Sequence, residues 1–142
     1  MLPPQLELTL HAAATWFMVG VIWLIQLVHY PMFAFLDRAQ FKRSHAFHSK
    51  AITWIVMPVM LVELALSAVL VRRAAGLASW PAPAGFALVA LLWALTFFVM
   101  VPLHRRLEAE GFDSQVHATL LRWNWVRTFA WSARGIIAAF WL

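Results

Sequence analysis

The chain has 142 residues and a mass of 16.2 kDa, room for a single domain. It is 63% hydrophobic and 12% charged, with a mean hydropathy of +0.76, which excludes a soluble enzyme, a disordered chain and a disulfide-stapled miniprotein. The net charge of +5 reads as membrane topology rather than as nucleic-acid binding, and the absence of cysteine excludes disulfides, iron–sulfur clusters and thiolate-ligated haem.

The first segment, Leu8 to Leu36, is 29 residues without an Asp, Glu, Lys or Arg. A helix needs about 20 apolar residues to cross the hydrocarbon core, so this run spans and has length to spare for tilt. It is not a cleavable signal peptide, because the first basic residue is Arg38 and the apolar run is too long. The second segment, Ala51 to Val71, carries one charge, Glu63, and Pro58 predicts a kink. Gly76, Pro81, Pro83 and Gly85 then mark a loop, and the third segment runs from about Phe86 to His104. The fourth, from about Val116 to Leu142, holds Arg122, Arg127 and Arg134. A central Arg costs about 2.5–3.5 kcal/mol on the insertion scale, and the segment is kept as a span because its polar residues share one stripe.

The expected fold is all-α, an integral membrane antiparallel four-helix bundle forming one domain over residues 1–142, with spans near 8–35, 50–72, 86–105 and 118–141. No soluble domain is expected beside it, and Trp141 suits an aromatic belt. Arg38, Lys42, Arg43 and Lys50 of the first loop and Arg105, Arg106 and Arg122 of the third put seven cations on one side, against Arg72 and Arg73 on the other. The positive-inside rule makes the first and third loops cytoplasmic and both termini external, with a bacterial inner membrane as the expected location.

Polar residues are the informative ones in lipid. At 100° per residue, Asn124, Arg127, Trp131 and Arg134 fall within about 80° of one another. His11, Thr15, Gln26 and His29 share about 60° of the first helix by the same geometry. Depth reckoned at about 1.5 Å per residue sorts these residues into two layers. Glu63 and Arg134 lie at equal depth and read as an ion pair, either a structural clamp between the second and fourth helices or a proton or substrate-carboxylate contact. His29, His45, His48 and His104, with Gln26, Asn124 and Arg127, gather near the cytoplasmic leaflet. His11 and His117 read as peripheral.

Three readings of the His layer stay open. Imidazole is the commonest metal ligand, so His29, His45, His48 and His104 are candidates for iron, copper or haem. A metal-free polar pocket for a small lipophilic ligand is the second reading, and interface packing the third. Ser67, Ser79 and Ser132 lack the His–acid context of a nucleophile, and there is no Gly-rich phosphate loop. A weak internal echo joins Val28-His29-Tyr30-Pro31 to Val101-Pro102-Leu103-His104, each placing Pro and His at the same end of a span.

Val101-Pro102-Leu103-His104-Arg105-Arg106-Leu107 and Trp123-Asn124-Trp125-Val126-Arg127-Thr128 together resemble the anthrone oxygenase-like family of four-span membrane proteins. The likeness covers about 30 residues, from a pattern of V-P-x-N-x-x-L and W-x-x-x-N-x-x-R-T; this chain departs from it by carrying His104 in place of the Asn. The resemblance implies oxygen-dependent oxidation of a lipophilic hydroxyaromatic or quinol-like substrate, with no established cofactor. In that reading His29 and His104 serve as catalytic bases, and Asn124 with Arg127 holds the oxyanion. Two rival functions are a membrane carrier of metal or haem, and a non-catalytic subunit or assembly factor of a larger membrane complex. The expected partners are the lipid bilayer, a small lipophilic ligand, and either further copies of the chain or a larger complex.

Overall fold

A computed structural model describes residues 3–74 and 80–140. These form four helices: α1, Pro4–Phe35; α2, Phe41–Ala74; α3, Pro81–Glu110; and α4, Ser114–Ala139. The first three are long and apolar enough to cross a membrane, while α4 carries too many arginines to qualify on composition alone.

Side-chain contacts fix the arrangement. Arg73 near the end of α2 reaches Glu7 near the start of α1 at 2.9 Å. His117 at the start of α4 meets the Tyr30 carbonyl near the end of α1 at 2.8 Å. His45 early in α2 meets His104 late in α3, and Arg134 late in α4 bonds the Gly85 carbonyl early in α3. Every neighbouring pair is therefore antiparallel, and the helices form a closed ring in chain order. One end holds the 36–40 and 111–113 connections; the start of α1 and the end of α4 lie at the other.

The ends of the helices have local causes. The α3–α4 connection is tight because Gly111 adopts φ 94°, a conformation in which a side chain would be strained, and closes the last turn of α3. The Asp113 carboxylate then caps α4, accepting from the amides of Gln115 and Val116 at 2.8 Å each. Those two amide bonds hold the Asp113 carboxyl below the usual range. Lys42 braces the same corner by donating to the Ala109 carbonyl at 2.6 Å, where the α3 dipole favours a cation.

Several boundaries differ from the expectation. Pro81, Pro83 and Gly85 lie inside α3, not in a loop, since the amides of a first helical turn lack intrahelical partners and proline loses nothing there. Gly76 and Leu77-Ala78-Ser79 fall outside the described residues, as does Trp141. The second helix begins at Phe41, so His45 and His48 belong to its body.

Breaks in regularity occur in α1 and α3, as π turns over Ile25–His29 and Thr96–Met100. Each π turn ends two residues before a proline, Pro31 and Pro102. Proline offers no amide to the carbonyl four residues back and crowds it, and one widened turn absorbs both defects. The echo seen in sequence is thus a shared backbone device. Pro58 sits within an uninterrupted α2.

The burial pattern is inverted relative to a water-soluble protein. Trp54 is 75% exposed, Phe98 81% and Phe129 61%, whereas Glu63, Asn124 and Arg134 are 0–2% exposed. Met18, Ile22, Met60, Leu92 and Trp131 fill the middle of the interior. Phe33, Phe41, Met100, Leu107 and Leu120 fill the end with the short connections. At Gly135 a Cβ would meet Val19 Cγ2 at 3.3 Å, so a missing side chain lets α4 lie close against α1.

Candidate functional site

Two polar layers lie inside the ring. In the first, Arg134 Nη2 stands 3.2 Å from Glu63 Oε1, and Trp131 donates its indole N–H to Glu63 Oε2 at 3.1 Å. The guanidinium also reaches the Gly85 carbonyl, Thr15 and Ser67 at 3.4 Å each for the two hydroxyls, and His11 at 3.3 Å. His11 in turn lies 3.3 Å from Ser67. The expectation that His11 is peripheral is corrected: it is buried within this network. His117 is corrected likewise, since it is buried and holds the Tyr30 carbonyl. The Tyr30 carbonyl, which also accepts from the Phe33 amide in the tight turn that ends α1, gains a second partner in this way.

The second layer lies toward the short connections. Tyr30 and His104 share a hydrogen bond of 2.9 Å through the hydroxyl and Nε2. His104 Nδ1 and His45 Nε2 share another of 3.0 Å, and His45 Nδ1 faces Glu108 Oε1 at 3.8 Å. On α4, Arg127 donates to Asn124 Oδ1 at 3.0 Å, and Asn124 donates to Gln26 Oε1 at 2.8 Å. The Arg127 guanidinium sits 5.1 Å from the Trp131 ring centre and beside the Tyr30 hydroxyl.

A cavity of about 200 Å³ joins these groups. Met18, Ile22, Ile25, Ile52, Val56 and Met100 give it apolar walls; Tyr30, His104 and Arg127 supply polar atoms at one end. Its mouth lies between α2 and α3, where Thr53 and Arg105 are exposed and Glu108 is half-buried at the rim. Arg127 is 6% exposed, its Nε has no partner, and among the described residues no carboxylate pairs with it. A buried cation without a counter-ion on a cavity wall is a site for an anionic or strongly polarised oxygen.

The expected set of four histidines divides. His45 and His104 have ring centres 5.0 Å apart with their planes tilted by 32°, and His104 lines the cavity. His29 and His48, with ring centres 5.4 Å apart, face a separate hollow of about 170 Å³ lined also by Met32, Phe33, Leu36 and Ser44. The Phe33 ring lies between the pairs, 5.0 Å from His45 and 5.1 Å from His48. The four imidazoles therefore do not converge, and among the described residues no three of His, Asp or Glu are placed to hold a metal ion. His29 and Asn124 do not line the cavity; Asn124 orients Arg127 from behind.

Tyr30 and Glu108 escaped the sequence reasoning. Tyr30 is the sole tyrosine, and Glu108 lies four residues beyond His104, one helical turn along the same face. Both signals were available. No family model, curated protein or solved structure matches the chain.

Proposed function

We propose that the chain is a four-span integral membrane protein that binds a single-ring, lipophilic hydroxyaromatic of the quinol type and withdraws its hydroxyl proton, preparing it for oxidation by O₂. The observation that carries this reading is the uncompensated Arg127 guanidinium on the wall of an apolar cavity, next to the Tyr30–His104 pair. A phenolate oxygen is the counter-ion such a site lacks.

Cavity size narrows the ligand. An apolar cavity of roughly 150 Å³ holds benzene, so 200 Å³ accepts one substituted ring. A tail attached to that ring would leave through the mouth between α2 and α3. Both ring nitrogens of His104 are engaged, so the group that meets the ligand hydroxyl is Tyr30, which accepts one proton while passing its own to His104. Full oxidation balances as quinol plus O₂ giving quinone plus hydrogen peroxide: two electrons pass from the ring to oxygen, and the two protons the ring releases are matched by two that peroxide takes up from water.

Membrane insertion of all four helices is supported by the inverted burial. Helix α4 is about 39 Å long at 1.5 Å per residue, its Arg127 and Arg134 point inward, and Phe129 and Ile136 are exposed on its outer face. The basic excess at the end with short connections makes that end cytoplasmic. Cysteines at Gln40 and Gly76 should label from opposite faces of a sealed vesicle, with Gln40 inside the cell; labelling from one face rejects the topology.

The functional test is a titration of detergent-purified protein with trimethylhydroquinone, followed by tryptophan fluorescence and an oxygen electrode. Saturable binding that Arg127→Met abolishes, with quinone formed under air, supports the reading. Absence of saturable binding defeats it, and stable co-purification with larger membrane proteins would favour a subunit role instead.

A further inference from the structure

Tyr30, His104 and Glu108 line the cavity from its inner wall to its rim, and His45 lies behind them. Tyr30 at the cavity wall is 3% exposed, His45 is fully buried, and the Glu108 side chain is 37% exposed at the end with short connections. Between them, contacts of 2.9 and 3.0 Å connect Tyr30 to His104 and His104 to His45, and 3.8 Å separates His45 from Glu108. The last gap is longer than a hydrogen bond, His45 Nδ1 has no other partner, and a turn of the half-exposed carboxylate would be needed to close it.

We propose that Tyr30, His104, His45 and Glu108 form a proton-exit wire that carries the ligand's hydroxyl proton from the cavity to the aqueous phase at the basic end. It rests on the function proposed above for the source of the proton, not for the route.

Only one assignment makes every link a donor–acceptor pair when the outer carboxylate is ionised. Glu108 then only accepts, so His45 carries its hydrogen on Nδ1 and presents a bare Nε2. His104 must donate to that nitrogen from its own Nδ1, which leaves its Nε2 to accept from the Tyr30 hydroxyl. A proton entering at the Tyr30 oxygen moves outward by three transfers. Tyr30 O–H gives to His104 Nε2, His104 Nδ1–H to His45 Nε2, and His45 Nδ1–H to Glu108, which releases it to water. Each O–H or N–H broken is matched by one formed, and no electron moves. Rotation of the two rings resets the wire.

The surroundings suit the task. Phe41 stacks on His45 at 5.3 Å, and Phe33 covers it at 5.0 Å, so water is kept from the His45 step of the series. The π turn at Thr96–Met100 and Pro102 set the rotation of the segment that brings both His104 and Glu108 to this face. A merely structural network would have no need of a terminal carboxylate at the rim.

Two measurements test the wire. Nitrogen NMR of histidine-labelled protein should find both His45 and His104 as Nδ1–H tautomers; an Nε2–H tautomer at either overturns the proposal. In the second, the protein is mixed rapidly with 4-nitrophenol, a single-ring phenol whose phenolate is coloured, in weak buffer containing a pH indicator. His45→Gln, which lies off the cavity, should bind the probe as the parent does yet slow proton appearance in bulk by about tenfold or more, and added imidazole should restore the rate. Unchanged release in His45→Gln, with binding intact, overturns the wire and leaves the binding site standing. Failure of 4-nitrophenol to bind the parent protein overturns both.

Discussion

Arg134 Nη2 lies 3.2 Å from Glu63 Oε1, and both side chains are almost fully buried, at 1% and 2% exposure. Removing one member strands the other charge in a medium that cannot solvate it. Arg134→Met or Glu63→Met is expected to destabilise the protein by about 3–5 kcal/mol, whereas the double Met variant should recover most of that. Thermal unfolding in detergent reads the difference. A charge swap should recover less, because an arginine at position 63 leaves the Gly85 carbonyl and the Thr15 hydroxyl without their donor.

Arg127 predicts the opposite sign. No carboxylate among the described residues balances it, so Arg127→Met removes a desolvated cation without stranding an anion. Stability should hold or rise by about 1–3 kcal/mol, while affinity for phenols is lost. A melting series run with and without trimethylhydroquinone separates the two effects.

The π turns give a third test. In Pro102→Ala the restored amide can bond the Phe98 carbonyl, and the five-residue turn over Thr96–Met100 loses its cause. Reversion to regular α geometry rotates the downstream segment by about 100°, which carries His104 away from His45. The variant should be at least as stable as the parent yet lose the histidine tautomer signals that the 3.0 Å contact produces.

Asp113 supplies the pH dependence. Its folded carboxyl titrates below the usual value because two amides bond the ionised form. The stabilisation is therefore fully present above the ordinary carboxylate pKa and is lost as pH falls through the lower folded one. Asp113→Asn keeps the cap but removes this titration, so its melting temperature should fall less steeply than the parent's as the pH is lowered below about 4.

Much of the interior was readable from spacing. The stripe of Asn124, Arg127, Trp131 and Arg134 is buried on one side of α4, as 100° per residue requires, and depth counting put Glu63 at the level of Arg134. Depth did not reveal azimuth past a π turn. One extra residue in the turn at Ile25–His29 rotates everything beyond it, which puts Tyr30 inside and separates His29 from His104. His11 was misjudged because position near an end says nothing about which way a ring faces. Pro81 and Pro83 read as loop residues because proline marks both a turn and a first helical turn, and only tertiary packing distinguishes them.

The mouth of the cavity opens on the flank between α2 and α3, a side whose neighbours include Trp54 and Phe98. On the function proposed above, a ligand entering from that side would be drawn from the solute dissolved in the acyl phase and not from its aqueous concentration. Its apparent affinity would then scale with the partition coefficient of the ligand and with the amount of lipid or detergent present, so two laboratories using different micelle concentrations would obtain different constants for the same molecule.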